Sequence, residues 1–183
     1  MKRQNSLTTL LIVVISGLFI VQQYFYASLL PDFALVGSGF VEHKQYYRFL
    51  TVALVHAGWM HLLFNMLALY QLGNIVEKVF GEIRYAAILL ASLIGGSALS
   101  WFLMSPSGVA VGASGAIFGL FGALLVVGKK IGLNYQSVVG TLVINAALPL
   151  IDHNIDWHAH AAGFVAGAIA AFIVKPHRSY NVY

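Results

Sequence analysis

Four polar residues in this sequence have side chains suited to cleaving an acyl bond. Ser114 is a potential nucleophile, His160 is a potential proton acceptor, and His61 and Asn65 can donate hydrogen bonds to a developing negative charge. A serine hydroxyl becomes a good nucleophile only when a base takes its proton, so Ser114 and His160 must come within hydrogen-bond reach. The residue types therefore indicate hydrolytic chemistry, provided that the fold brings them together.

The elements that must position these residues are membrane-spanning helices. Of the 183 residues, 60% are hydrophobic and only 9% are charged, and the mean hydropathy is +0.83. A soluble surface carries far more charge than this, whereas a lipid-facing surface needs very little. The ten basic residues are scattered rather than clustered, which argues against a nucleic-acid partner. The sequence lacks cysteine and therefore has no disulfides.

Six apolar segments predict an all-α, polytopic bundle of six transmembrane helices that forms one domain over residues 1–183. The first segment is longer than the apolar part of a signal peptide and no convincing cleavage site follows it, so we expect it to be retained. The last three are short for a hydrocarbon core about 30 Å thick, which favours helices enclosed by other helices. The predicted spans are Leu7–Tyr26, Trp59–Val79, Tyr85–Met104, Gly112–Gly128, Tyr135–Ile151 and Trp157–Val174.

The distribution of basic residues predicts that both termini are cytoplasmic. With that orientation eight basic residues lie inside and two outside, as the positive-inside rule requires. The connection between the first two spans, Pro31 to Gly58, then lies outside, and its aromatic stretch predicts an ordered loop at the membrane interface. The inner residues are Lys2, Arg3, Lys78, Arg84, Lys129, Lys130, Lys175 and Arg178, and the outer ones are Lys44 and Arg48.

This topology predicts that the four polar residues lie at one depth. Spans two, four and six all enter from the outside, and each carries its polar residues within about two turns of that end, or roughly 10 Å at 1.5 Å per residue. Spans four and six also carry glycines at a spacing that lets helix backbones approach closely. These are Gly115, Gly119, Gly122, Gly163 and Gly167. Each feature also has an ordinary explanation, because membrane serines often bond to their own backbone and glycine stripes often serve packing alone.

The motifs resemble those of the rhomboid family of intramembrane serine proteases over nearly the whole chain. They comprise Tyr47-Arg48 in the first loop, His61-x-x-x-Asn65, Gly112-x-Ser114-Gly115, and Ala159-His160-x-x-Gly163-x-x-x-Gly167. Any single motif is weak, but their order on a six-span chain is specific. Many family members carry Trp-Arg where this chain has Tyr47-Arg48, and some carry tyrosine where it has Phe118. Phe118 can still stack on the His160 ring.

The resemblance implies a serine endopeptidase with a Ser–His dyad. Ser114 would be the nucleophile and His160 the general base and acid, while His61, Asn65 and backbone N–H groups near Ser114 would bind the oxyanion. It also implies single-span membrane proteins as substrates, cleaved near the outer face of a bacterial inner membrane. Lateral entry would pass span five and the loop Ile151–Asp156. Independently of the resemblance, the outer placement of the four polar residues suggests a hydrophilic cavity that opens outward, bordered by Ser105–Gly108. No cofactor or metal is implied.

Several alternatives remain open. Asp156, four residues before His160, either orients the imidazole or, as we expect, caps the sixth helix. His56, His153 and His158 have no evident chemistry, and their spacing does not suit a metal site. A rhomboid-like protein without activity would lack the serine or the histidine, and this chain has both. A small transporter would need a polar path to the inner side, yet the inner halves of spans four and six contain no ionisable residue.

Overall fold

A computed structural model describes residues 6–37, 44–136, 138–143 and 156–177. Most of this part is helical. Its sheet is one short antiparallel pair of strands, with Leu35 opposite Ala110 and Val36 opposite Val109. Residues 135–136 and 138–143 are also helical. The elements are α1 (Leu7–Tyr24), α2 (Leu29–Phe33), β1 (Leu35–Val36), α3 (Arg48–Thr51), a 3₁₀ turn (Val52–Leu54), α4 (Trp59–Ala68), a π-helical turn (Leu69–Gly73), α5 (Asn74–Phe80), α6 (Glu82–Leu103), β2 (Val109–Ala110), α7 (Ser114–Val127) and α8 (Trp157–Val174).

Three helices in the described part are long and apolar enough to cross a membrane: α1, α6 and α8. A fourth crossing is counted if Arg48–Leu54 and Trp59–Phe80, which meet at an angle of 99°, form one broken span. Helix α7 is apolar but has 14 residues, fewer than an ordinary span. The predicted fifth span, Tyr135–Ile151, lies partly outside the described residues. The protein is thus an all-α, multi-pass membrane protein, and the number six stays a prediction.

Helix α1 is fixed at both ends by polar contacts to the segment that contains α4 and α5. The Glu77 carboxylate accepts hydrogen bonds from the backbone N–H groups of Leu7 and Thr8, at 2.7 and 3.0 Å, and from the Thr8 hydroxyl at 2.6 Å. An anion suits this place because the first N–H groups of a helix lack partners. At the other end, the Gln22 amide donates to the His56 carbonyl at 2.7 Å and accepts from the His56 N–H at 3.2 Å.

The first connection is ordered around the buried side chain of Arg48. Its guanidinium donates to the carbonyls of Pro31 and Ala34, at 2.7 and 2.6 Å, and to the side chain of Gln45. These bonds hold α3 against the segment that contains β1, and β1 in turn pairs with β2 just ahead of α7. The described part of this loop therefore supports the start of α7; residues 38–43 lie outside the described part.

Helices α6, α7 and α8 pack with almost no side-chain layer between their backbones. A Cβ atom placed on Gly163 would overlap the backbone of Gly115, and one on Gly167 would overlap that of Gly119. A Cβ on Gly119 of α7 would also overlap the buried side chain of Ser92 on α6, and one on Gly96 of α6 would lie 2.8 Å from the Ala159 carbonyl oxygen of α8. The close approach predicted from the glycine pattern is present, and each of the three helices packs directly against the other two.

Candidate active site

Ser114 is the first residue of α7, and Gly112 fixes the turn that leads to it. Gly112 has a φ of 109°, in the region that L side chains rarely adopt, and its N–H donates to the Val52 carbonyl at 2.9 Å. This conformation also explains why α7 begins two residues later than the predicted span. At the first position of a helix, Ser114 is surrounded by backbone N–H groups that have no partner within the helix.

His61 lies directly against this turn. A Cβ atom on Gly112 would come within 2.7 Å of Cε1 and 2.8 Å of Nε2 of the His61 ring. Two features therefore require glycine at position 112: the positive φ of its backbone, and the His61 ring in the space that a side chain would occupy. The edge of the His61 imidazole thus lies against the backbone of Gly112, which is two residues before Ser114 in the sequence.

Asn65 is buried one turn further along α4, on the same face as His61. Its Nδ2 atom donates to the His61 carbonyl at 2.8 Å, and its second amide hydrogen has no acceptor among the described residues. Its Oδ1 atom is buried and has no hydrogen-bond partner in the described part of the chain. Asn65 therefore braces the turn of the helix that carries His61.

His160 lies in the second turn of α8 and is 6% exposed. Its ring stacks on Phe118 of α7, with centroids 4.0 Å apart and planes within 8° of parallel. The predicted stacking of Phe118 is therefore confirmed. An open groove of about 440 Å³ runs beside both rings, and its other wall is formed by Leu142, Trp157, Ala161, Phe164 and Val165.

The chain segments around Ser114 and His160 touch each other. A Cβ on Gly115 would lie 3.5 Å from the Ala159 carbonyl oxygen, and one on Gly96 of α6 would lie 2.8 Å from the same oxygen. Ser114 and His160 are the neighbours of Gly115 and Ala159 in sequence. However, His160 Nε2 is buried and has no hydrogen-bond partner among the described residues, so the expected bond to Ser114 is not formed in this structure. Catalytic hydrogen bonds are often long in the absence of substrate.

Asp156 caps α8, as expected, and bonds to His158. Its Oδ1 atom accepts from the His158 N–H at 2.9 Å and lies 3.0 Å from His158 Nδ1. Its Oδ2 atom is buried without a partner in the described part of the chain. It shares a cavity of about 30 Å³ with Ser97, Ser100 and Ser114, which is enough room for one water molecule. The Ser100 hydroxyl is likewise buried and without a described partner.

His56 is the residue of this site that sequence reasoning missed. Its side chain is completely buried, its ring meets the His61 ring edge-on at 5.2 Å, and a Cβ on Gly112 would lie 3.8 Å from its Cδ2 atom. Neither of its ring nitrogens has a hydrogen-bond partner in the described part of the protein. Its place in the site depends on a tertiary contact, because Gln22 of α1 fixes the His56 backbone, and no local pattern in the sequence shows this. His153 lies outside the described residues, and the described part contains no cluster of metal-ligating side chains.

The fold and this site define a multi-pass membrane protein with a serine, histidines and an amide gathered around tightly packed helices. A model of the Rhomboid domain matches residues 43–177. The chain is 37% identical over 150 residues to RHOMBOID-like protein 1 of Arabidopsis thaliana, covering 76% of this chain and 38% of that protein. The chain belongs to the rhomboid family, which confirms the resemblance found in its motifs.

Two bacterial relatives carry the word protease in their names. The chain is 38% identical over 147 residues to rhomboid protease GluP of Bacillus subtilis (strain 168), covering 78% of this chain and 29% of GluP. It is 33% identical over 147 residues to putative rhomboid protease YdcA of the same organism, covering 76% of this chain and 74% of YdcA. The chain thus spans less than half of RHOMBOID-like protein 1 and of GluP, but most of YdcA.

Proposed function

We propose that this protein is an intramembrane serine endopeptidase that cleaves membrane-protein substrates through a Ser114–His160 dyad. The observation that carries the proposal is the backbone contact between α7 and α8 at Gly115, Ala159 and Gly163, with Ser114 and the buried His160 beside it. The similarity to proteins named as rhomboid proteases supports the same reaction.

In the proposed reaction His160 is the general base and then the general acid. The Ser114 hydroxyl attacks the scissile carbonyl while His160 Nε2 takes its proton, and the imidazolium then protonates the leaving amine. The stack on Phe118 restricts the tilt of the imidazole ring. Nε2 has no hydrogen-bond partner among the described residues, which fits a base that would bond to the Ser114 hydroxyl when substrate arrives.

The oxyanion would be stabilised at the start of α7. The unpaired N–H groups and the positive end of the helix dipole favour negative charge there. His61, held against Gly112, and the remaining amide hydrogen of Asn65 would add side-chain donors. A single donor of this kind contributes about 10²–10³ to turnover in other enzymes.

The second half of the reaction consumes water, and the small cavity behind Ser114 can hold one molecule. The buried Ser100 hydroxyl and Asp156 Oδ2 would give that water two of the hydrogen bonds it needs. We infer that a water held there attacks the acyl carbonyl while His160 takes one of its protons, and that the imidazolium then returns a proton to the Ser114 oxygen as the ester bond breaks and the carboxylic acid leaves.

The substrate must offer an extended segment, because the carbonyls of a helix are already hydrogen-bonded. The groove between Phe118, His160 and Leu142 is mostly apolar and suits a strand that enters from the bilayer. We infer single-span membrane proteins as substrates, with cleavage near the outer face of a bacterial inner membrane and both termini of the enzyme in the cytoplasm. The expected gate is span five with the loop Ile151–Asp156, and residues 144–155 of it lie outside the described part.

The test is a cleavage assay with purified protein and a labelled single-span substrate. The wild type should cut the substrate at one position, and Ser114→Ala and His160→Ala should each abolish cleavage. Asn65→Ala should lower kcat by about 10²–10³ if its amide binds the oxyanion. Cleavage by Ser114→Ala and His160→Ala at the wild-type rate would refute the proposed chemistry.

A further inference from the structure

The end of the bundle opposite Ser114 contains a second concave surface that the proteolytic site does not use. It is an open cavity of about 680 Å³ between the start of α6 and the ends of α7 and α8. This volume falls in the range of clefts that hold organic ligands. Its lining residues are Arg84, Val126, Val127, Lys130, Ala171, Phe172, Val174, Lys175, Pro176 and His177.

Three of the lining side chains are cations, and none is an anion. Arg84 lies in the first turn of α6, and Lys130 and Lys175 lie just after the ends of α7 and α8. Each lacks an ion pair with any described carboxylate. The nearby Glu77 carboxylate is occupied by the start of α1. The positive charge of this cavity is therefore left for a ligand, and three cations favour one that is anionic.

The wall of the cavity depends on an unusual backbone conformation after α8. Lys175 has a φ of 56° and a ψ of 149°, a combination seldom adopted by residues other than glycine. The turn that this creates is pinned because the His177 N–H donates to the Val79 carbonyl at 3.1 Å. His177 also packs close to Gly81, whose own φ is 77°. The chain thus bends back at Lys175 and brings its side chain to the cavity.

Apart from His177, the remaining lining is apolar, and it continues onto exposed apolar surface. Phe172 is 72% exposed, and Val126 and Val174 extend the same surface between α7 and α8. A ligand that matches both halves carries an anionic group joined to hydrocarbon chains. We propose that this cavity binds an anionic glycerophospholipid, with its phosphodiester among Arg84, Lys130 and Lys175 and an acyl chain along Phe172. Basic pockets between transmembrane helices bind such head groups.

The proposal is tested by binding, with no dependence on proteolysis. Purified protein is titrated in detergent with dioctanoyl phosphatidylglycerol, and bound lipid is counted by native mass spectrometry. The wild type should bind it at least tenfold more tightly than dioctanoyl phosphatidylcholine. Each basic side chain near a membrane surface contributes roughly fivefold to the affinity. The triple variant R84Q/K130Q/K175Q should therefore lose at least tenfold and bind both lipids alike.

A matched control removes three charges that do not line the cavity. K44Q/K78Q/K129Q has the same change in net charge and includes Lys129, the neighbour of Lys130 in the sequence. Because none of these three side chains lines the cavity, this variant should keep the lipid preference. Should the triple variant not fold, Lys130→Gln alone, at an exposed position, should lose roughly fivefold. Equal affinity for the two lipids in the wild type, full binding by both lining variants, or displacement of the lipid by equimolar inorganic phosphate would overturn the proposal.

Discussion

At the scale of single residues, the side chains around Ser114 are held by packing and backbone contacts more than by bonds to one another. His61 rests on Gly112, Asn65 bonds to its own helix, and His160 stacks on Phe118. Asn65 Oδ1 and His160 Nε2 have no hydrogen-bond partner among the described residues, which suits groups that must bond to a substrate.

Asp156 is predicted to act by capping α8 and by holding one water, a contact that an asparagine amide can also make, and not as a direct partner of His160. Asn caps a helix about as well as Asp, so Asp156→Asn should keep most of the activity and the stability. Asp156→Ala should lower the unfolding free energy by about 1 kcal/mol because the cap is lost. Thermal unfolding in detergent and the cleavage assay measure the two effects. Loss of activity in Asp156→Asn as severe as in His160→Ala would make this residue a third member of the catalytic group.

His56 is predicted to position His61 through the edge of its ring. His56→Phe retains an aromatic ring at this place and should keep most of the turnover, since the ring nitrogens of His56 have no described partner. His56→Ala leaves a cavity beside His61 and should lower kcat about tenfold, as expected when a misplaced group of the oxyanion site is only partly effective. Both kcat and KM are measured for each variant, and the loss is expected in kcat. A loss in His56→Phe equal to that in His56→Ala would show that the nitrogens matter.

At the scale of elements, the distance between α7 and α8 controls the site. Gly163→Ala places a methyl group where the Gly115 backbone lies, so the helices must move apart. We expect the free energy of unfolding to fall by about 1–3 kcal/mol. The fraction of kcat that is lost should be larger than the fraction of the unfolding free energy that is lost, because Ser114 and His160 move with these helices. Unfolding curves and cleavage rates measure both.

The matched control for that substitution is Gly17→Ala in α1, where no atom lies within 4 Å of the added methyl group. It should be neutral or slightly stabilising, since alanine favours a helix over glycine. Full activity in Gly163→Ala would mean that close approach of α7 and α8 is not needed for the reaction.

The helices themselves were largely predictable from hydropathy, but their ends depended on backbone conformations. α8 has the predicted bounds, and α7 lies within the predicted fourth span. α6 begins three residues earlier than predicted because Gly81, with a φ of 77°, turns the chain directly from α5 into α6. The π-helical turn after α4 was also not predicted. It lies where Gly73 meets Thr8 and Tyr85, and such a contact leaves no periodic signal in the sequence.

The site was predictable where it depends on local spacing or on motifs, and not where it depends on distant contacts. The cap by Asp156 and the stack of Phe118 on His160 follow from short-range order along one helix or from the motif itself. The role of His56 requires Gln22 to reach it from α1, 34 residues away in sequence. No pattern within the His56 segment reveals that contact.

At the scale of the whole molecule, the charge distribution predicts which end faces the cytoplasm. The chain has no cysteine, so single cysteines report cleanly on accessibility. Ser107→Cys, between α6 and β2, should react with a membrane-impermeant maleimide added to intact cells. Lys129→Cys, after α7, should react only once the membrane is permeabilised. The reverse pattern would mean that the protein is inserted the other way.

The most direct measurement of the central claim is covalent labelling by a fluorophosphonate, with the modified residue located by peptide mass spectrometry. The wild type should carry the adduct on Ser114, because only a serine activated by a base reacts readily. His160→Ala should reduce this labelling by at least tenfold while its unfolding curve stays close to that of the wild type. An adduct on another residue, or labelling of Ser114 that does not depend on His160, would contradict the dyad.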